Sequence, residues 1–180
     1  MASIDEALYC TLYGSAETMA HIAAAQDAAT SARSFRAALG MNAQVPVRRG
    51  YWVICAVADE ATLGLAGLLR DDEGGAEVGV VLPAVHQGRG HATRAIAALA
   101  DHAFGAMGCM RLYTRHHEGH APAAGLMQAL GFERLGADET GDRWHWQLTP
   151  TRWSHWPRRQ GRANPLPSAG LTVGGRQAHD

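Results

Sequence analysis

The stretch Leu82-Pro83-Ala84-Val85-His86-Gln87-Gly88-Arg89-Gly90-His91-Ala92-Thr93 decides how this chain is read. An almost wholly apolar run, residues 76–82, precedes it, and Pro83 stops that run as a strand. From Arg89 to about Met107 a helical pattern follows, with Ile96, Leu99, Ala100, Ala103, Phe104 and Met107 on one stripe. The order is therefore buried strand, glycine-bearing turn, amphipathic helix. Backbone N–H groups in the first turn of such a helix have no intrahelical acceptor and carry the positive end of its dipole. Gly88 and Gly90 leave room for phosphate oxygens to reach those amides, so a diphosphate is the natural guest. Two better-known phosphate turns do not fit. Thr93 stands where the dinucleotide fingerprint GxGxxG needs its third glycine, and no lysine is available for a Walker A loop.

Working outward, residues 8–13 alternate well enough for a first strand. Ser15 is placed to cap a helix carrying Met19, Ile22 and Ala23. A second helix is expected from about Thr30, with Phe35 and Leu39 inward and Gly40 at its C-cap. Residues 51–57 and 62–69 read as an antiparallel hairpin, and residues 71–75 turn the chain into the strand 76–82. Beyond the central helix come a short strand at 111–114, a helix begun by Pro122 with Leu126, Met127 and Leu130, and strands at 132–135 and 143–149. Helices interleaved with strands after an antiparallel start predict a single α/β domain with a mixed, mostly antiparallel sheet flanked by helices. We place it at residues 1–153. Residues 154–180, with three prolines, four glycines and little periodicity, read as a flexible tail.

The 180 residues suffice to bury a core without disulfides. The formal net charge is −1, which gives no polycationic drive toward nucleic acid. All 16 cationic residues are arginine, which rules out a kinase strand lysine and a pyridoxal-phosphate Schiff base. Cys10, Cys55 and Cys109 show no zinc spacing and read as reduced thiols in a cytoplasm. The acidic start MASIDEALYC is not a signal peptide, and the most apolar run, 95–100, is far too short to span a bilayer. We expect a cytoplasmic protein with no nucleic-acid or membrane partner.

Gln87-Gly88-Arg89-Gly90-His91-Ala92 also fits a longer pattern, Gln/Arg-x-x-Gly-x-Gly/Ala. With Glu77-Val78-Gly79, Leu130-Gly131-Phe132 and the ending from Leu148 to Trp153, residues 76–132 resemble the core of the GNAT superfamily of acyl-CoA-dependent N-acyltransferases. They are most similar to the branch that acetylates ribosomal-protein N-termini. The resemblance covers most of residues 8–153 and is weak before residue 50. It implies that backbone amides of Gln87, Gly88, Arg89, Gly90, His91, Ala92 and Thr93 bind the pyrophosphate of acetyl-CoA. It further implies that the fourth strand splays from the fifth, so that Val80, Val81 and Leu82 line the pantetheine with their backbone. No metal is implied.

The chain also departs from the family pattern. Where relatives carry Asn-x-x-Ser before the last long helix, this sequence has His120 and Ala123, so the serine contact is missing and His120 is the remaining cofactor candidate. Where many carry a tyrosine as general acid, it has Met127. Glu77, the sole carboxylate on its apolar strand, is the candidate general base; the alternative is a solvated strand-edge residue. His116 and His120 lie four apart, but not in an HExxH string, and read as part of a polar loop rather than a metal site. Trp144 and Trp146 share one strand face and read as packing, and Arg48-Arg49 as a solvated loop or an anion-attracting pair.

The resemblance thus implies transfer of an acetyl group from acetyl-CoA to a primary amine, either a protein N-terminus or a small molecule, by direct attack in a ternary complex. The alternative is a non-catalytic acyl-CoA-binding or sensing module. An edge strand or the late tryptophan face could support a homodimer.

Overall fold

The computed structural model describes residues 1–56 and 58–156. Its elements are α1 (Glu6–Gly14), α2 (Ala16–Met19), α3 (Ala28–Asn42), β1 (Arg49–Cys55), β2 (Thr62–Arg70), β3 (Gly75–Val81), α4 (His91–Gly105), β4 (Arg111–His117), α5 (Ala121–Ala129), β5 (Glu133–Ala137), β6 (Arg143–Leu148) and α6 (Pro150–Ser154). Six strands form one sheet in the order β1-β2-β3-β4-β6-β5. Only β3 and β4 pair in parallel; the other neighbours are antiparallel.

The expected mixed sheet is present, but residues 8–13 are helix rather than strand. Tyr9 and Leu12, three apart, are both buried, and Tyr13 stacks on Tyr9 with ring centroids 4.3 Å apart. Contacts at i, i+3 and i+4 belong to a helix face. The helix expected after Ser15 is a single turn, capped by Ser15 Oγ accepting from Thr18 N at 3.2 Å. Gly40 lies inside α3, which runs on to Asn42. The strand expected to end at Thr114 continues to His117.

The sheet has a core on each face. On one, Ile96, Leu99, Ala100 and Ala103 of α4 pack against Ala66, Leu68, Val78 and Leu112 of the sheet. On the other, Tyr9 and Leu12 of α1 and Phe35 of α3 cover Leu65. Covered on both sides, β2 carries a run of buried residues from Leu63 to Ala66. The chain stays packed past residue 153: Trp156 stacks on Trp153 at 4.7 Å and donates to the Ala129 carbonyl at 2.9 Å. From residue 157 the expected tail lies outside the described residues.

Candidate active site

Three rungs join β3 to β4: Gly75 with Arg111, Ala76 with Leu112, and Glu77 with Tyr113. Beyond them β3 remains paired only with β2, as far as Val81, while β4 continues beside β6. Two parallel strands that part in mid-sheet leave unpaired backbone groups along the gap. The closed end is fixed by side chains. Asp71 accepts from Gly75 N at 2.6 Å and from Arg111 at 3.0 Å, tying the β2–β3 turn to the start of β4. Glu77 then receives Arg115 Nε at 3.1 Å and a second Arg115 nitrogen at 2.9 Å. Glu77 is therefore partly exposed but paired.

The gap opens into a cavity of about 820 Å³, within the range of small-molecule and cofactor sites. Of the residues singled out from the sequence, Glu77, Val80, Val81, Leu82, Gln87, Gly88, Gly90, His91, Ala92, Thr93 and His120 line it. Arg89 does not. It is exposed, and its carbonyl accepts from Arg94 at 3.3 Å. At the mouth, Gln87 donates its side-chain N–H to the Leu82 carbonyl at 2.9 Å, which closes the turn on the strand and occupies that carbonyl. Gly88 has φ +69° and Gly90, the N-cap of α4, φ +75°. Both values belong to the left-handed region that costs an L side chain about 1–2 kcal/mol. A Cβ on Gly88 would meet nothing within 4 Å, so the turn is open on that side. His91, in the first turn of α4, receives Arg94 on Nδ1 at 2.8 Å. Partial burial, followed by the charge of Arg94, moves its pKa below the ordinary histidine value.

The opposite wall carries a group that the sequence placed in a polar loop. His116 is 7 % exposed and stacks on Trp146. Its Nδ1 lies 2.9 Å from the His117 carbonyl, which can only accept, so Nδ1 carries a proton. Among the described residues its Nε2 is buried with no hydrogen-bond partner, as is Nδ1 of His120. His120 stacks on His21 at 4.4 Å and meets His116 edge-on at 6.2 Å. Burial, reinforced by the neighbouring His21, His116 and His117, lowers the His120 pKa. Among the described residues no group of three potential metal ligands converges. Ala123 and Met127, where the family pattern has serine and tyrosine, also line the cavity, and neither can donate a proton. Trp146 is buried in the core, and Trp144 packs under the Arg134 guanidinium at 3.8 Å.

A family model described as an acetyltransferase (GNAT) domain matches residues 1–133. The chain belongs to the GNAT acetyltransferase family. No curated protein matches it by sequence. Among solved structures it is similar to a spermidine N-acetyltransferase from Vibrio cholerae in complex with CoA and spermine, at 16 % identity and TM-score 0.73, covering 85 % of this chain and 94 % of that one. It is similar to an aminoglycoside acetyltransferase in complex with coenzyme A, at 16 % identity and TM-score 0.72, covering 86 % and 95 %. It also resembles a ribosomal-protein-S5-alanine acetyltransferase from Vibrio fischeri, at 17 % identity and TM-score 0.72, covering 85 % and 92 %. At such identities these likenesses show a shared fold. No helix among the described residues of this GNAT chain is long and apolar enough to cross a membrane.

Proposed function

We propose that this GNAT chain transfers an acetyl group from acetyl-CoA to a primary amine by direct attack in a ternary complex. The observation that carries the reading is the gap itself: β3 leaves β4 after three rungs, and the open end meets a turn with two positive-φ glycines at a helix N-terminus. A diphosphate suits the turn, and an extended amide-bearing arm suits the unpaired strand edge. The structural neighbours crystallised with CoA support the assignment. Residues Val80, Val81, Gln87, Gly88, Gly90, His91, Ala92 and Thr93 would hold the cofactor, with Leu82 giving its carbonyl to Gln87 instead.

In the reaction the amine nitrogen attacks the thioester carbonyl, a C–N bond forms, the C–S bond breaks, and one N–H proton must reach the departing sulfur. Holding both reactants in contact supplies much of the rate. Glu77 keeps lone pairs beyond those that Arg115 occupies, and we assign it to receive the N–H of the incoming amine. We assign the proton transfer to the His116–His120 pair, which presents two unpartnered ring nitrogens on the β4 side of the gap. An imidazole that takes the proton from nitrogen and returns it to sulfur makes a tyrosine at Met127 unnecessary.

The reading is tested by thermal unfolding with acetyl-CoA, free CoA and NAD. A ligand at 100 times its Kd adds about 2.7 kcal/mol, worth roughly 2–4 °C at this size. Stabilisation by acetyl-CoA and CoA but not NAD is expected; no shift with either CoA species would overturn it. Thiol release on adding amines then separates an enzyme from a binding module.

A further inference from the structure

We infer that the acceptor amine carries a carboxylate, as an amino acid does, rather than further positive charges; this rests on the acetyl-transfer reading above. Four formally charged side chains other than histidines line the cavity: Arg49, Arg115, Arg143 and Glu77. Arg115 already neutralises Glu77, so among the described residues the wall offers a polyamine no unpaired carboxylate. The surplus is Arg49 and Arg143; Arg143 pairs with His117 at the far end of β4, whereas Arg49 lies by Glu77. Arg49 pairs with Leu69, and Leu69 with Glu77, which sets Arg49 level with the closed end of the gap. The turn expected to hold the diphosphate begins after Leu82, five residues farther along, or roughly 17 Å of strand. Arg49 is thus at the thioester end of the cavity, remote from the phosphates.

Arg49 is half-buried, and its guanidinium contacts the Met41 sulfur at 3.8 Å; among the described residues no carboxylate pairs with it. Its planar donor fork matches a carboxylate. Along the next row the sheet is open at Gly79. Tyr51 pairs with Gly67 and Gly67 with Gly79; the Tyr51 ring lies against Gly67, and beyond it a Cβ on Gly79 would meet nothing within 4 Å. Tyr13, Tyr51 and Leu65 wall this bay. Asn42 brackets Tyr51 by accepting from its N–H and donating to its carbonyl, each at 2.8 Å, which holds that wall in position. An apolar or aromatic amino acid would place its carboxylate on Arg49 and its side chain among the tyrosines, with its nitrogen toward Glu77. The neighbours named for spermidine and aminoglycosides take polycations, so the inference separates this chain from them.

The test measures thiol release from acetyl-CoA with L-phenylalanine, L-phenylalaninamide and spermine at pH 8. The amide's amine is the less basic, so more of it is free nucleophile, and without carboxylate recognition it would be the faster acceptor. Expected is a kcat/KM for phenylalanine above that of the amide by roughly tenfold or more, with spermine poorest. Arg49→Met should raise the KM for phenylalanine by a similar factor and bring the two acceptors level, while Arg49→Lys retains part of the preference. Stabilisation by acetyl-CoA should be unchanged in both variants. Preference for the amide or spermine, or failure of all three amines on a chain that acetyl-CoA stabilises, overturns the inference. So does loss of acetyl-CoA stabilisation in Arg49→Met, which would place Arg49 on the cofactor. No stabilisation of the unaltered chain would instead defeat the acetyl-transfer reading.

Discussion

Arg115 holds both carboxylate oxygens of Glu77, at 3.1 and 2.9 Å, just beyond the last rung that joins β3 to β4. The pair closes the narrow end of the gap and fixes which way the carboxylate faces. Their side chains are 43 % and 29 % exposed, Arg115 and Glu77 respectively, so the pair contributes at most about 1 kcal/mol to stability. Its value is positional.

Glu77→Gln keeps the size of the side chain but loses the charge-assisted bonds. We expect its unfolding free energy to stay within about 1 kcal/mol of the parent, while kcat/KM falls by about 10²-fold, the usual effect of a small misplacement at a reacting centre. His116→Gln should cost about 10²–10⁴-fold in kcat. Thiol-release kinetics compare the two variants. If Glu77→Gln costs more in kcat than His116→Gln does, the roles assigned here are reversed.

Gly90→Ala should weaken cofactor binding more than it weakens the fold. At φ +75° the new side chain costs about 1–2 kcal/mol, and its Cβ would lie 3.3 Å from the Arg94 guanidinium. Relief of that strain rotates the first N–H groups of α4 away from the turn. Titration calorimetry with CoA should show at least tenfold weaker binding, whereas an unchanged affinity would remove the turn from the cofactor site.

Much of this site could be read from the sequence because it is local. Strand, turn and helix around Gly88 and Gly90 follow one another within a few dozen residues, and each carries its own signal: an apolar run, Pro83, glycines, a helical stripe. The misread segment shows where such signals fail. In residues 8–13 the alternation of Leu8, Cys10 and Leu12 competes with the i, i+3, i+4 set Tyr9, Leu12 and Tyr13, and six residues are too few for periodicity to decide. The acidic pair Asp5-Glu6 just ahead of the run was the available helix signal. His116 was missed because a polar string, Arg115 to His120, hides a strand whose alternate side chains face opposite ways: Arg115 toward Glu77, His116 onto Trp146. No local pattern reports the meeting of His21 with His120, or of Arg49 with Glu77 along one row of the sheet, since both depend on how distant segments pack.

Stability should fall on the acid side of neutrality. His91 and His120 both have folded-state pKa values below the ordinary 6.5, burial being the leading cause in each. The folded chain therefore binds fewer of these protons than the unfolded chain, so their contribution is whole above pH 6.5 and is lost as pH falls from there toward the folded values. Melting temperatures between pH 8 and 5 should decline, and His120→Gln should flatten the decline without abolishing it. A steeper fall in that variant would contradict the assignment of His120 as a buried neutral imidazole.

Trp156 is the other point at which stability can be measured. It lies three residues past the boundary expected from the sequence, yet it is 7 % exposed, stacks on Trp153 and donates to the Ala129 carbonyl at the end of α5. Trp153 in turn donates to Asp101 of α4 at 2.9 Å, so two indoles fasten α6 to both helices that border the cavity. Trp156→Ala removes a large buried ring and leaves a carbonyl without its donor, a loss of about 3–5 kcal/mol. Trp156→Phe keeps the stack but not the hydrogen bond and should lose about 1–2 kcal/mol. Chemical denaturation of the full chain separates the two costs. Equal losses in the two variants would mean that the hydrogen bond to Ala129, rather than the stack on Trp153, secures this end of the domain.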